Sequence, residues 1–238
     1  MRATRVLSLK ITVLIVLIAS LTVVMVSVAG AVNVDPIYVV ELEGTITAGQ
    51  NSFLQRQVEK ALEMDAQLFV LVMNTPGGLV DATMEINRLF LNARIPIAVL
   101  VAPSGAIAGS AGAFVLISSD IAAMAPGTTV GAAQPIAISP EGAGAADEKT
   151  TLFYASHMRS MAREKGRPED IAARFVTENL TLGAREALES GIIEYLAADL
   201  PDLLLQVDGL EIEKLGLAYS LNTASAVIHH GEMNLREA

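Results

Sequence analysis

Two uncharged apolar runs of strand length, separated by a helical pattern, constrain the fold of this chain most strongly. They are LFVLVM, residues Leu68 to Met73, and IAVLVA, residues Ile97 to Ala102. Between them, residues 79–92 carry apolar side chains at helical spacing. A strand that is apolar throughout is covered on both faces, and two parallel strands need a crossover connection between them. We therefore predict an α/β body built on a parallel sheet.

The remaining segments extend this alternation. A first strand is predicted over residues 35–46, and a helix with Asn51-Ser52 as its cap follows it. The other predicted elements are a small-residue helix at 106–119, strands at 121–124 and 192–196, and helices at 150–165, 168–177 and 183–190. Residues 134–148 are polar and rich in Gly, Pro and Ala, which predicts a long loop of functional or mobile character. The pattern weakens over residues 207–238.

The N-terminal region differs from this body. Residues 11–32 carry no charge, and Arg2, Arg5 and Lys10 precede them. At ~1.5 Å per residue such a helix reaches ~33 Å, enough to cross a hydrocarbon core of ~30 Å. A basic flank keeps the N-terminus cytoplasmic, so we expect the body on the extracytoplasmic side of the cell membrane. Ala29-Gly30-Ala31 also fits a cleavage site, so a membrane anchor and a signal peptide both stay open.

The composition excludes several kinds of partner and functional site. The formal net charge is -10 and aromatic residues make up 4%, with no Trp, which argues against a nucleic-acid partner. The chain has no Cys, which excludes disulfides, thiolate zinc sites and a cysteine nucleophile. Three His leave little material for a metal site, and no feature requires a metal or an organic cofactor.

A glycine pair follows the first of the two apolar runs. Pro76-Gly77-Gly78 leads directly into the predicted helix. Glycines at such a junction let the backbone approach a ligand and turn its N–H groups outward, which suits a developing oxyanion. An ordinary Pro-Gly turn is the alternative interpretation.

A serine surrounded by small residues follows the second run. Ser110 lies within the stretch 105–113, whose other members are Gly, Ala and Ile. Its hydroxyl could be exposed at a strand-to-helix junction, as a nucleophile requires. Ser104 is its rival, but it follows Pro103 and suits a turn or a cap. Close helix packing through small residues is the alternative explanation for Ser110.

A serine nucleophile needs a base to take its proton. His157 lies in the middle of a predicted helix and is expected at the surface or at its boundary. Lysine can replace histidine where burial favours its neutral form. Lys149, at the end of the long loop, could fold back over the junction, although Asp147 and Glu148 beside it would have to point away. Lys165 is the fallback candidate.

Four separated motifs now match a known family. They are Pro76-Gly77-Gly78, Gly109-Ser110-Ala111-Gly112, DIAAMAP at 120–126 and GAAQP at 131–135. In this order they resemble the serine peptidases of the Clp protease/crotonase-like ββα-repeat fold. The resemblance is greatest to the membrane-bound NfeD peptidases, relatives of signal peptide peptidase A, and it covers residues 36–209.

The resemblance implies roles for individual residues. Ser110 corresponds to the nucleophile, and the N–H groups of Ala111, Gly77 and Gly78 correspond to the oxyanion hole.

It also implies the base and part of the substrate site. The Clp subunits carry a catalytic His just before a Gln-Pro pair, whereas this chain has Ala133 before Gln134-Pro135. The membrane-bound relatives use a lysine further along the chain, which Lys149 matches. Phe114, Gln134 and Pro135 are then expected to contact the substrate.

The expected organisation is a signal peptide or membrane anchor at 1–32, a protease domain at 33–209 and a tail at 210–238 that leads toward membrane helices outside this chain. The resemblance implies a homo-oligomeric, dimeric or larger, membrane-associated endopeptidase with a Ser110/Lys149 dyad. Its implied substrates are hydrophobic segments of membrane proteins, with stomatin-like partners. Two alternatives stay open: a crotonase-like acyl-CoA enzyme and a catalytically silent membrane scaffold.

Overall fold

Helices and strands alternate along the computed structural model, which describes residues 35–139 and 142–232. The helices are α1 (Ala48–Glu63), α2 (Val80–Asn92), α3 (Ala111–Ser118), α4 (Glu148–Glu164), α5 (Glu169–Thr177), α6 (Ala184–Glu189) and α7 (Leu200–Gln206). The strands are β1 (Ile37–Glu43), β2 (Leu68–Asn74), β3 (Ile97–Val101), β4 (Ile107–Gly109), β5 (Ile121–Met124), β6 (Thr129–Gly131), β7 (Ile136–Ser139), β8 (Gly142–Ala145), β9 (Thr181–Gly183), β10 (Tyr195–Leu196), β11 (Glu211–Lys214), β12 (Leu217–Ser220) and β13 (Ile228–Gly231).

Six of these strands form the main sheet, in the order β10-β5-β3-β2-β1-β13, and every neighbouring pair is parallel. Successive side chains of a strand point to opposite faces, so Val70 and Leu71 of β2 enter separate apolar clusters. Both faces of β2 and β3 are therefore covered, as their continuous apolar runs require. The predicted α/β fold with a parallel sheet is confirmed.

A smaller sheet, in the order β4-β6-β9, lies beside the end of β2. Here the predicted helix at 106–119 is wrong in its first third, because residues 107–109 are extended. The Ile107 N–H donates to Asn74 Oδ1 at 3.1 Å, and the Thr75 N–H donates to the Ile107 carbonyl at 2.8 Å. These long-range bonds hold β4 and delay the start of α3 until Ala111.

Helix α1 also begins elsewhere than predicted. Its N-cap is Thr47, not Asn51-Ser52, and the helix starts at Ala48. The Gln50 N–H donates to Thr47 Oγ1 at 3.2 Å, and the Thr47 N–H donates to Gln50 Oε1 at 3.3 Å. This reciprocal capping box outweighs the helix-weakening glycine in the first turn.

Strands occur in two segments for which the sequence predicts neither a helix nor a strand. The polar loop at 134–148 holds the antiparallel hairpin β7–β8. In the segment set apart as a tail, residues 211–220 form the hairpin β11–β12, and β13 pairs with β1. Strands β1 and β13 lie far apart in the sequence, so their pairing leaves no local pattern from which it could be predicted.

A buried ionic group fixes the hairpin β11–β12 to the body. Lys214 Nζ donates to the carbonyl oxygens of Phe90 and Ile95 at 2.9 and 3.0 Å and lies 2.5 Å from Asp120 Oδ2. The other oxygen of Asp120 lies 2.6 Å from Lys165 Nζ. Burial lowers the pKa of Lys214, while the Asp120 carboxylate opposes that shift.

Within residues 35–139 and 142–232, none of the helices is long and apolar enough to cross a membrane. The predicted anchor or signal segment at 1–32 lies outside the described residues.

Candidate active site

Ser110 occupies the turn between β4 and α3 in a strained conformation. Its φ is 49° and its ψ is −111°, values that L-residues with a side chain rarely adopt. The turn is held because the Ser110 N–H donates to the Gly131 carbonyl at 2.8 Å and the Ala113 N–H donates to the Ser110 carbonyl at 3.0 Å. Such a sharp strand-to-helix turn projects a serine hydroxyl away from the backbone.

The hydroxyl itself is not engaged. Ser110 is half-buried, and its Oγ has no hydrogen-bond partner among the residues that the structure describes. Because this oxygen makes no hydrogen bond to the described residues, both a base and the carbonyl carbon of a substrate can approach it.

Two glycines make this arrangement possible. A Cβ added to Gly77 would lie 2.7 Å from the Ser110 Cβ, and one added to Gly112 would lie 2.7 Å from Thr75 Cγ2. The φ of Gly77 is +121°. The two turns, Thr75 to Gly78 and Gly109 to Gly112, therefore approach each other only because these positions lack side chains.

Two backbone N–H groups beside Ser110 have no acceptor in the described part of the chain, namely those of Gly78 and Ala111. Ala111 is the first residue of α3, where helix geometry leaves the N–H unpaired and the helix dipole favours negative charge. The Gly77 N–H, which the sequence places in the oxyanion hole, is not available because it donates to Thr75 Oγ1 at 3.0 Å. This leaves Gly78 and Ala111 as the available pair of donors.

These groups line one small apolar cavity of about 30 Å³. The Phe114 and Tyr154 rings meet edge to face at a centroid distance of 6.4 Å, and Tyr154 contacts Phe153 in the same way at 5.2 Å. The complete lining is Gly78, Val80, Thr83, Met84, Ser110, Ala111, Phe114, Ala133, Pro135 and Tyr154.

Of the three residues expected to contact substrate, the structure places two at this cavity. Phe114 and Pro135 line it. Gln134 does not, because its side chain accepts a hydrogen bond from Asn179 Nδ2 at 2.7 Å and its N–H donates to Asn179 Oδ1 at 3.1 Å. This pairing turns the Gln134 amide toward the turn that follows α5.

Lys149 is the second residue of α4 and is exposed. It is not part of the cavity lining, and its side chain makes no ion pair or hydrogen bond with the described residues. The neighbouring Asp147 carboxylate accepts from the Thr150 N–H and from its hydroxyl, both at 2.9 Å. These bonds lower the pKa of Asp147 and engage its carboxylate at the first turn of α4.

The rival residues are placed differently. Lys165 is bound to Asp120, which removes it as a fallback base. Ser104 is exposed in the turn before β4, with its Oγ close to Gly127. His157 is half-buried on α4, its Nε2 has no partner among the described residues, and burial lowers its pKa.

No group of three or more His, Asp or Glu side chains within the described ranges could hold a metal ion. Sequence reasoning also missed the role of Thr75, whose hydroxyl organises the glycine turn. The only signal was a hydroxyl residue two positions before Gly77, which is typical of a side-chain-to-backbone turn.

Comparison with known proteins identifies relatives of this chain. The family model of the NfeD1b N-terminal domain matches residues 36–215. The membrane-bound protease PH1510 of Pyrococcus horikoshii is 36% identical over 177 residues, which cover 74% of this chain and 40% of that protein. The chain thus spans less than half the length of this curated relative.

Solved structures also match this chain. A lysine-to-alanine mutant of the 1510-N membrane-bound stomatin-specific protease, in complex with a substrate peptide, matches with a TM-score of 0.81 at 32% identity, covering 86% of this chain and 95% of that one. A second mutant of that protease, in which alanine replaces a serine, matches with a TM-score of 0.80 at 33% identity, covering 84% and 99%. ClpP1 from Listeria monocytogenes, at 17% identity, a TM-score of 0.54 and coverage of 68% and 92%, shares the fold.

Proposed function

The chain belongs to the NfeD1b N-terminal domain family, and from this premise we propose that it is a membrane-associated serine endopeptidase with Ser110 as nucleophile and Lys149 as general base. The observation that carries the proposal is the strained Ser110 turn, which brings an unpaired hydroxyl next to two unpaired N–H groups. Such a set is what peptide-bond cleavage through an acyl-enzyme requires.

In the proposed reaction, Ser110 Oγ attacks the carbonyl carbon of a peptide bond while its proton passes to the neutral amine of Lys149. The negative charge that develops on the carbonyl oxygen is stabilised by the N–H groups of Gly78 and Ala111. When the tetrahedral intermediate collapses, the C–N bond breaks and the leaving amine takes the proton from Lys149. Water then attacks the ester on Ser110, and the same lysine serves again as base and acid.

This proposal requires Lys149 to approach Ser110. A general base must come within ~2.6–3.2 Å of the group it deprotonates, and such contacts often form only when the substrate is bound. Lys149 lies shortly after the hairpin β7–β8, and Pro135, just before that hairpin, lines the cavity. We propose that substrate or a second copy of the chain closes over this segment and removes the amine from water, which favours the neutral form of a lysine.

The chemistry around the cavity favours apolar substrates. Several large apolar residues that adjoin the lining residues in sequence are exposed. Their exposed fractions include 57% for Leu79, 68% for Ile136 and 66% for Phe153. An exposed group of this kind marks a surface that binds another apolar partner. We propose hydrophobic segments of membrane proteins as substrates, and a stomatin-like protein as the physiological partner because the matched protease is described as stomatin-specific.

We further propose that the catalytic part lies on the extracytoplasmic side of the cell membrane. The basis is the uncharged run at 11–32 behind a basic flank, together with the description of the relative PH1510 as membrane-bound.

The proposal is tested with the full chain in detergent and a fluorogenic peptide of apolar sequence. We expect Ser110→Ala and Lys149→Ala each to lose at least ~10³-fold in kcat, as removal of a nucleophile or its base does. Ser156→Ala and Lys60→Ala, at exposed positions on α4 and α1, serve as matched controls and should cleave normally. A fluorophosphonate should label the parent protein and not Ser110→Ala. Equal cleavage by Ser110→Ala and the parent would show that another group does the chemistry.

A further inference from the structure

Thr75 is completely buried and makes two hydrogen bonds to a single residue. Its Oγ1 accepts from the Gly77 N–H at 3.0 Å and donates to the Gly77 carbonyl at 3.2 Å. Its backbone is fixed as well, since its N–H donates to the Ile107 carbonyl and its carbonyl accepts from the Gly109 N–H. The hydroxyl therefore extends from a rigid position into the glycine turn.

The Gly77 carbonyl and the Gly78 N–H belong to the same peptide unit. In a trans peptide the C=O and N–H bonds point in opposite directions. Thr75 Oγ1 and the Ile46 N–H, at 2.9 Å, both bind the Gly77 carbonyl oxygen. With the oxygen held there, the Gly78 N–H must point the other way, and Gly78 lines the cavity in front of Ser110.

The glycines themselves do little to fix this orientation. With no Cβ on either side, a peptide unit between two glycines can rotate at small steric cost. Both glycines are nevertheless required, because a Cβ on Gly78 would lie 2.1 Å from the Ile46 carbonyl oxygen and one on Gly77 would meet Ser110. The turn thus needs restraints from outside. The Ile46 N–H holds the Gly77 carbonyl, and the Thr75 hydroxyl adds a bond to that carbonyl and one to the Gly77 N–H.

We propose that Thr75 is a positioning residue for the oxyanion hole, and that its hydroxyl keeps the Gly77–Gly78 peptide turned so that the Gly78 N–H faces the substrate carbonyl oxygen. This inference rests on the proposed peptidase function. Thr75 does not touch the reacting atoms. It acts through Gly78, whose hydrogen bond strengthens as charge develops on the oxygen.

Thr75→Val tests the inference, because it removes the hydroxyl and keeps the branched shape that packs against Gly112. Loss of a whole oxyanion donor typically costs ~10²–10³ in kcat, so loss of its restraint should cost about 10-fold to 100-fold. KM should change by less than about 3-fold, because ground-state binding makes little use of this donor. Affinity for a peptide aldehyde, whose adduct with Ser110 carries the oxyanion, should fall in parallel with kcat.

Two further variants separate positioning from packing. Thr75→Ser keeps Oγ1 and should retain kcat within about 3-fold of the parent, less than the loss of a donor causes. Thr223→Val removes an equally buried hydroxyl, which donates to the Leu204 carbonyl, and should leave kcat unchanged. If Thr75→Val cleaves like the parent, or if Thr75→Ser loses as much activity as Thr75→Val, the inference is overturned.

Amide exchange measured by NMR gives a readout that does not depend on activity. In the parent, the Gly77 N–H should exchange slowly and the Gly78 N–H quickly, and Thr75→Val should accelerate the exchange of Gly77. Thr75→Ala replaces the valine variant if that protein does not fold. Unchanged exchange at Gly77 contradicts the inference even if Thr75→Val loses activity, whereas normal cleavage by Ser110→Ala contradicts the proposed function alone.

Discussion

The backbone N–H of Ser110 donates to the carbonyl of Gly131 at 2.8 Å, so the turn that carries Ser110 is fixed by a residue of β6. Gly131 has a φ of +131°, and a Cβ there would lie 2.1 Å from the Leu180 carbonyl oxygen. Gly131→Ala must therefore move β6 away from β9. We expect it to reduce the free energy of unfolding by about 2 kcal/mol or more and to abolish most peptide cleavage, measured by urea unfolding and the fluorogenic assay. Gly144→Ala, with open space around the added methyl group, should change neither.

Lys214 should be essential for stability although it lies far along the sequence from Ser110 and Lys149. Its Nζ is bound by Asp120 and two carbonyl oxygens and is removed from water. Lys214→Met would leave these acceptors without their donor, and breaking a buried ion pair from one side typically costs about 3–5 kcal/mol. Urea unfolding measures this loss. Lys60→Met, at an exposed position, should have almost no effect, and equal midpoints for the two variants would contradict the assignment.

His157 should make stability depend on pH. Burial lowers its pKa below 6.5 in the folded protein, so the unfolded chain binds more protons below that pH. The free energy of unfolding should therefore fall as the pH decreases from about 6.5, and urea unfolding at about pH 7.5 and about pH 5.5 measures the change. His157→Gln should reduce this dependence, while His230→Gln, at an exposed position, should keep it. A pH dependence that His157→Gln leaves intact would assign it to another group.

Asp147 should support activity through the helix cap that it forms. Its carboxylate holds Thr150, and the pKa of Asp147 is lowered by that contact. Asp147→Ala should fray the first turn of α4, which carries Lys149, and reduce kcat several-fold. Asp147→Asn keeps a good N-cap and removes the charge, so its kcat should stay near that of the parent. Equal loss in both variants would point to the negative charge instead of the cap.

The parallel sheet could be predicted because its central strands are apolar on both faces. The uncharged runs LFVLVM and IAVLVA therefore indicate, by composition alone, strands that are buried on both faces. The turn at Ser110 could be expected for a similar reason, because the residues around it are small and adjacent in sequence. The start of α3 could not. Ile107 is extended because of a bond to Asn74, 33 residues away. The hairpin β7–β8 could not be predicted either, because its polar sequence resembles a loop.

The order of the main sheet also affects how the chain can be shortened. β1 is paired along its outer side by β13, and residues 37–40 of β1 carry no charge. A protein that ended at residue 215, where the family match ends, would lack β13 and expose this edge. Uncharged edge strands pair readily with other chains. Such a truncated protein is therefore expected to self-associate through β1, and residues up to at least Gly231 are needed to protect the sheet from aggregation.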